Sequence, residues 1–365
     1  KGGLAMKRFF MFVTAVILIF SLTACGGSSE KKKSDEGTSE VAMIVDGEQL
    51  AEGSVDQSTW LSVKTLADEN GLSSQYYTTK DPSKDTYLAS IQKAVDKGAK
   101  FIVLPGSNFE TAAYAAQSAY PDVDFLLIDG VPHDENGAYA TASNMVSMVF
   151  AEEEAGYLAG YAAVREGYTK LGFLGGQEIP SVKRYGYGFV QGAAAAAAEK
   201  EKKVEIRYQY TGSNDASDAA KDTAVAWYKD GTQVIFASGG SINSSVIKAA
   251  EKVDKKKKKV IGSDVDQSEL SDTVLTSAEK NLDKAVGDLM KDYASDKFVG
   301  GMAFNYAAKN NGVALEIDNG RFDKFTQEDY DAVFAKLKSG EIELKKDTGA
   351  GSAAELAGDW VTIVQ

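Results

Sequence analysis

The chain carries one cysteine, one histidine and only five prolines among its 365 residues. One thiol closes no internal disulfide and builds no thiolate zinc cluster, and one imidazole makes no multi-histidine metal site. A Ser/His/Asp triad or Cys/His dyad would have to use His133, which lies in the turn-like stretch Val131-Pro-His-Asp-Glu-Asn-Gly137 with no G-x-S-x-G nucleophile motif nearby. Phosphate-cradling loops are missing too. Leu171-Gly-Phe-Leu-Gly-Gly176 lacks the G-x-G-x-x-G spacing, and no G-x-x-x-x-G-K-S/T run occurs. Basic charge is in deficit, 40 Lys and Arg against 53 Asp and Glu for a net −13, which argues against nucleic acid as a partner. Lys255 to Lys259 follows a helical pattern and precedes a strand pattern, where cations suit a helix C-terminus and stay solvated. What the chain does have is 44% apolar residues and length enough, at roughly 100 to 200 residues per domain, for two domains with cores of their own.

The N-terminal segment reads as a targeting signal. Lys7 and Arg8 form a short positive region, Phe9 to Leu22 is almost wholly apolar, and Leu22-Thr-Ala-Cys25 places small residues directly before the only cysteine. The apolar run is shorter than the roughly 20 residues that span a bilayer. The expectation is a signal peptide over residues 1–24, cleaved before Cys25, whose thiol takes a lipid. Lys1 to Ala5, ahead of Met6, read as an upstream extension from start-site choice. Cleavage leaves 37 of the 40 basic side chains against all 53 acidic ones. Residues 25–40 are then a Gly/Ser/Lys/Asp/Glu tether too polar to fold.

From Val41 onward, short β-branched runs alternate with amphipathic stretches, the pattern of an α/β chain with mainly parallel sheets. Strands are expected at Val41 to Val45, Phe101 to Leu104, Phe125 to Ile128, Leu171 to Leu174, Val204 to Tyr208, Val234 to Phe236, Lys259 to Ile261 and Val274 to Thr276. Helical patterns lie between them, from Ser58 to Glu69 through to Asn281 to Tyr293. The acidic run Glu152 to Glu154 suits a helix start and carries no implied chemistry. Two tandem units make two Rossmann-like lobes, with lobe 1 over 41–142 plus about 275–300 and lobe 2 over about 143–274 plus 301–365. In open parallel sheets a ligand sits beyond the carboxyl ends of the strands, so facing sheets put one site between the lobes.

Several ionisable residues fall at those strand ends. Asp46 follows the first strand, Asp129 follows Asp124-Phe-Leu-Leu-Ile128, Asp264 follows Val260-Ile-Gly-Ser263, and Lys280 stands beyond Val274-Leu-Thr-Ser277. A carboxylate accepts two hydrogen bonds from a vicinal diol, and a neighbouring lysine donates to the same oxygens. Asp residues after strands are equally ordinary turn formers and caps. Tyr185, in Tyr185-Gly-Tyr-Gly-Phe189, and Phe109, after Pro105-Gly-Ser-Asn108, are the aromatic candidates for stacking on a planar base. Trp60 and Phe189 fall on apolar helix faces and read equally as core.

The order of motifs resembles the basic membrane protein family, the nucleoside-binding lipoproteins of ABC importers. It is carried by Gly53-Ser-Val-Asp-Gln-Ser-Thr-Trp60, Val103-Leu-Pro-Gly106, Ala155-Gly-Tyr-Leu-Ala-Gly160, Gly175-Gly-Gln-Glu-Ile-Pro-Ser-Val182 with Tyr185-Gly-Tyr-Gly-Phe189, Gly262-Ser-Asp-Val-Asp-Gln267 and Thr276-Ser-Ala-Glu-Lys280. The resemblance implies a type I periplasmic-binding fold that closes through a hinge on a nucleoside, purine by the family's pattern, with no cofactor and no covalent chemistry. By motif matching the ribose set includes Asp264 and Lys280, with Asp266 as the substitute in a shifted loop. The base set includes Asp129, Tyr185, Asp56 and Gln57, and Gly239 and Gly240 let backbone approach the ligand. Implied partners are a nucleoside-like molecule, an ABC permease and the membrane through the lipid anchor, on the extracytoplasmic face. The chain departs from the pattern where Val55 and Asp56 replace Phe and Asn, where Glu48 replaces Gly, and where Asn214 replaces an aromatic residue. These departures remove two base-sandwiching rings and leave the diol-binding half intact. A riboflavin or sugar receptor of the same fold, a sensor lipoprotein, and an enzyme using Asp129 with Asp264 as paired carboxylates remain the alternatives.

Overall fold

A computed structural model describes residues 38–364; the expected signal, Cys25 and most of the tether lie outside them. The first sheet is fed by β1 (Val41–Val45), α1 (Val55–Glu69), β2 (Ser74–Thr78), α2 (Lys84–Asp96), β3 (Phe101–Pro105), α3 (Glu110–Ala119), β4 (Asp124–Ile128) and β5 (Met145–Phe150). The second is fed by α4 (Glu152–Glu166), β6 (Lys170–Gly175), α5 (Pro180–Glu199), β7 (Val204–Tyr210), α6 (Asp218–Lys229), β8 (Val234–Ser238), α7 (Ile242–Asp254), β9 (Lys259–Asp264) and β10 (Val274–Lys280). The chain returns through α8 (Leu282–Ala294) and β11 (Met302–Tyr306), then crosses again to β12 (Val313–Leu315), α9 (Gln327–Ser339) and β13 (Val361–Val364).

The first sheet runs β11-β5-β4-β3-β1-β2, every pair parallel. The second runs β12-β10-β9-β8-β6-β7-β13, parallel except for the β10–β12 pair. Central strands such as β1, β3 and β8 are buried along their whole length, as expected of parallel strands covered by helices on both faces. All eight expected strands form. Strand pairing moves the lobe limits, however. Residues 145–150 continue the first sheet beside β4, and β10 stays with β9 in the second, so 275–280 does not belong with the first lobe. Beyond 300, β11 rejoins the first sheet before β12 and β13 complete the second.

The chain therefore crosses between lobes three times, after β5, after β10 and after β11. The crossings are laced together: the Ala151 amide donates to the Tyr306 carbonyl at 2.8 Å, and the Asn281 amide to the Gly312 carbonyl at 2.9 Å. Next to the crossings, α4 and α5 lie backbone against backbone. A Cβ on Gly160 would meet the Phe189 carbonyl oxygen at 2.0 Å, and one on Gly188 would meet that of Glu153 at the same distance. This contact seats the start of α4 against Arg184 and Tyr185.

Candidate functional site

Asp129 and Asp264 come from opposite lobes, one after β4 and one at the end of β9, and both adopt left-handed backbone (φ 62° and 72°). Few non-glycine residues hold that conformation, and Asp is among those that do. Their carboxylates meet at one ammonium: Lys280 Nζ lies 2.6 Å from Asp129 Oδ2 and 3.0 Å from Asp264 Oδ1. A third carboxylate, Glu152 Oε1, stands 3.3 Å from the same nitrogen, and both side chains are only 2% exposed. The Tyr185 hydroxyl donates to Asp264 Oδ1 at 3.2 Å and Ser263 Oγ donates to Oδ2 at 3.0 Å. The rings of Phe150 and Tyr185 flank the ammonium at 5.5 and 5.7 Å, in cation–π range. Asp129 Oδ1 is buried without a hydrogen-bond partner.

Burial works against the Lys280 charge, but Asp129, Asp264 and Glu152 outweigh it and hold the ammonium well above the usual lysine range. Burial pushes the Asp129 carboxyl up, with Lys280 opposing. Glu152 is raised to about 7 by burial, eased by Lys280 and aggravated by the charge of Asp129.

The clamp opens into a chamber of about 130 Å³ lined by Asp129, Tyr185, Asp264 and Lys280 together with Asn108 and Gly240. A cavity of about 310 Å³ adjoins it, sharing Val55, Pro105, Asn108, Asn214, Gly240 and Asp264 and continuing to Asp46 and Asp56. Its size reaches the range of small-ligand sites. Asp46 is fixed by the Tyr87 hydroxyl and the Asn108 amide, each at 2.9 Å. Asp56 is raised to about 7, first by burial and then by the charge of Asp46, against a hydrogen bond from the Asp46 amide. None of the described residues lining this larger cavity carries an aromatic ring.

The strand-end candidates Asp46, Asp129, Asp264 and Lys280 thus share one interlobe hollow, with Asp56 and Gly240 on its walls. Others do not. Phe109 is fully buried under the first sheet, its ring 4.3 Å from that of Tyr87, because the turn after β3 directs it into the core. Gln57 Oε1 accepts the Gly53 amide at 2.9 Å, and Gln57 lines a neighbouring 450 Å³ hollow beside α1 that Gly53 and Lys280 also border. Tyr185 lines the chamber, but its ring is 1% exposed and edge-on to Phe236, so it offers no open face to a base and instead orients Asp264. Asp266 is exposed and held by Ser268 and Asn319, and it lines the hollow beside α1 rather than the clamp chamber. Trp60 packs edge-on against Tyr76. Gly239 and Gly240 have positive φ, and the space beside Gly240 is taken by the Asn214 carbonyl, 2.5 Å from an added Cβ.

Glu152 starts α4 as expected, but the expectation that the acidic run carries no chemistry is corrected, since Glu152 is buried against Lys280 on the clamp. Its only sequence signal is an acidic run placed directly after an apolar strand. Asn108 carried no signal of its own, and Asn214 stood out only as a departure where the family places an aromatic residue. Asp266, Glu279 and Glu316 bring carboxylate oxygens within 4.8 Å of one another, the one grouping of metal-ligand type among the described residues, and it lies outside the clamp.

Two doubly wound lobes, three crossings and a charged hollow at facing strand ends define a two-lobed protein of the type I periplasmic-binding fold. The solved structure of ABC transporter solute-binding proteins from Aeropyrum pernix K1 superposes with a TM-score of 0.72 at 20% identity, covering 86% of this chain and 96% of that one. A family profile described as "ABC transporter substrate-binding protein PnrA-like" matches residues 38–348. The chain belongs to this family, Bmp, and is a binding protein rather than an enzyme. The ABC transporter nucleoside-binding protein BmpA of Lactococcus lactis subsp. cremoris (strain MG1363) is 30% identical over 365 residues, with 93% of this chain and 98% of the relative covered. Basic membrane protein A of Borreliella afzelii is 29% identical, with 87% and 94% covered.

Proposed function

We propose that the chain is the extracytoplasmic receptor of an ABC importer, anchored by a lipid on Cys25, which captures a nucleoside between its lobes and presents it to a membrane permease. The observation that carries this reading is the meeting of Asp129 and Asp264, from opposite lobes, on the buried ammonium of Lys280 in a chamber that adjoins a ligand-sized cavity. A ribose diol donating to both carboxylates ties the lobes together, and the surplus of negative charge there disfavours a phosphorylated ligand. The base extends toward Asp46, Asp56 and Asn108. With no ring lining that cavity, it is held by hydrogen bonds rather than by stacking, and purine nucleosides are the first to test. The same ringless cavity favours, as a second reading, a receptor for a free furanose or hexose. The relative named as nucleoside-binding supports the first. Among the described residues no helix is long and apolar enough to cross a membrane.

Native mass spectrometry of the protein purified without added ligand tests the reading. The expected adduct has the mass of a nucleoside and is displaced by inosine, guanosine or adenosine. An adduct of hexose or flavin mass, or displacement by ribose alone, overturns it.

A further inference from the structure

The clamp chamber stands in the middle of a row. It shares Val55, Pro105, Asn214, Gly240 and Asp264 with the 310 Å³ cavity on one side, and Ser107, Asp129, Ile179 and Ser181 with a third hollow, of about 510 Å³, on the other. Asn108 is the only described residue that borders both outer spaces. A nucleoside has the same order along its length. The base leaves one side of the ribose ring, the diol edge lies between, and the 5′ carbon leaves the other side. With the diol on Asp129 and Asp264 and the base toward Asp46 and Asp56, the 5′ carbon points into the third hollow.

We propose that this third hollow is a subsite for a substituent on the 5′ carbon, and that the receptor takes nucleosides in which a short, uncharged, partly apolar group such as a thioether replaces the 5′ hydroxyl. This rests on the receptor reading above and extends the class of ligand it takes.

Both lobes build the hollow. The first gives Val149 from β5 and the loop after β4, which carries Val131 and Tyr139; the second gives Ile179 and Pro180 at the start of α5, with the Arg184 guanidinium one turn on. The loop is tied in place. The Ala140 amide donates to the Pro132 carbonyl at 3.0 Å, His133 and Tyr139 pair across the loop, and Glu110 Oε1 accepts the Val131 amide at 2.9 Å. His133, which takes no part in the clamp, helps to shape this wall: its Nε2 lies 3.4 Å from Glu110 Oε2, and its ring meets that of Tyr139 edge-on at 5.3 Å. Tyr139 is nevertheless 68% exposed. An aromatic ring left open beside a ligand-sized hollow is surface that a ligand can cover.

Charge decides what the hollow takes. Glu110, Asp129 and Glu152 line it against Arg184, the one cation among its described lining residues, so a phosphate meets a surplus of negative charge. Nor does a carboxylate there lack a partner for its charge. Glu110 has the Val131 amide and His133, Asp129 and Glu152 have Lys280, and Arg184 stands between Glu152 and Asp347. The rest of the lining offers apolar surface from Val131, Val149, Ile179, Pro180 and the Tyr139 ring. A sulfur beside an aromatic ring makes a favourable contact that a hydroxyl does not.

Calorimetric titration of the purified protein with adenosine, guanosine and inosine, and with the 5′-deoxy-5′-methylthio and 5′-monophosphate derivatives of the tightest binder, tests the subsite. The thioether is expected to bind about two- to tenfold more tightly than its parent, the scale of a sulfur–aromatic contact, and the monophosphate more weakly. Tyr139→Ala is expected to erase the gain and leave the parent nucleoside unchanged. Val149→Phe fills the hollow from β5 and is expected to weaken the thioether about tenfold or more, the parent again unchanged, with circular dichroism confirming the fold. A thioether that binds no more tightly than its parent, a monophosphate that binds more tightly, or a loss of parent affinity in both variants overturns the inference and leaves the receptor reading standing. If no nucleoside binds, the receptor reading fails and this inference falls with it.

Discussion

Lys280 sits where burial alone would strip an amine of its proton, and it stays charged because three carboxylates converge on it. The same burial leaves two acids of the cleft, Asp56 and Glu152, raised to about 7 from ordinary values of 3.8 and 4.5. An acid raised in the folded state binds its proton there at pH values where the unfolded chain has released it. The folded state therefore holds more protons across the window from about pH 4 to 7, and stability falls as pH rises through it. Urea unfolding of the ligand-free protein is expected to show a declining midpoint over this range. Asp56→Asn removes part of the decline and Glu152→Gln another part, and a midpoint that rises across the window contradicts both assignments. Asp46, Asp129, Asp264 and Lys280 were legible because a parallel strand delivers its next residue to a known edge of the sheet. The direction of Phe109 was not, since a few degrees of backbone in the turn before it decide between cleft and core. Glu152 was hidden by its own neighbours, because three glutamates after a strand read as a helix start until the partner lysine, 128 positions on in sequence, is brought beside them.

At the scale of the element, legibility followed burial. Most strands that run apolar end to end were visible, β5 being the exception, a buried Met-Val-Ser-Met-Val-Phe run that was not expected as a strand. β2, whose sequence Ser-Gln-Tyr-Tyr-Thr lies at a sheet edge, and β11, exposed along most of its length, carry too little apolar pattern to be seen. α9 hides for the same reason, burying only Val333 and Leu337. The α4–α5 contact is the element on which the clamp depends, because it holds Glu152 against Arg184 and sets Tyr185 under Asp264. Adding one methyl at Gly160 has nowhere to go but into the Phe189 carbonyl. Gly160→Ala is expected to destabilise the protein by about 1–3 kcal/mol, the usual scale of overpacking, measured by denaturant unfolding. An unchanged midpoint would show that the helices part without loss.

The whole molecule is two lobes joined at three crossings, and two members of the charged clamp lie at those joints. Lys280 ends the strand that precedes one crossing, and Glu152 begins the helix that follows another. On the proposed reading, a ligand held by Asp129 from one lobe and Asp264 from the other links them, so that recognition and closure become one event. The expected limits near 143 and 275–300 put β5 and β10 in the wrong lobes because crossing points follow strand pairing, which a local pattern does not reveal. Isothermal titration of the purified protein and its Asp264→Ala variant with the nucleoside that binds the wild type tests the central claim most directly, with far-UV circular dichroism confirming the fold. Removing one member of a buried, hydrogen-bonded charged set is expected to cost about 2–5 kcal/mol of binding, a loss of tens- to thousands-fold in affinity. An affinity equal to that of the wild type would contradict the account, since the ligand would then be held somewhere other than the clamp.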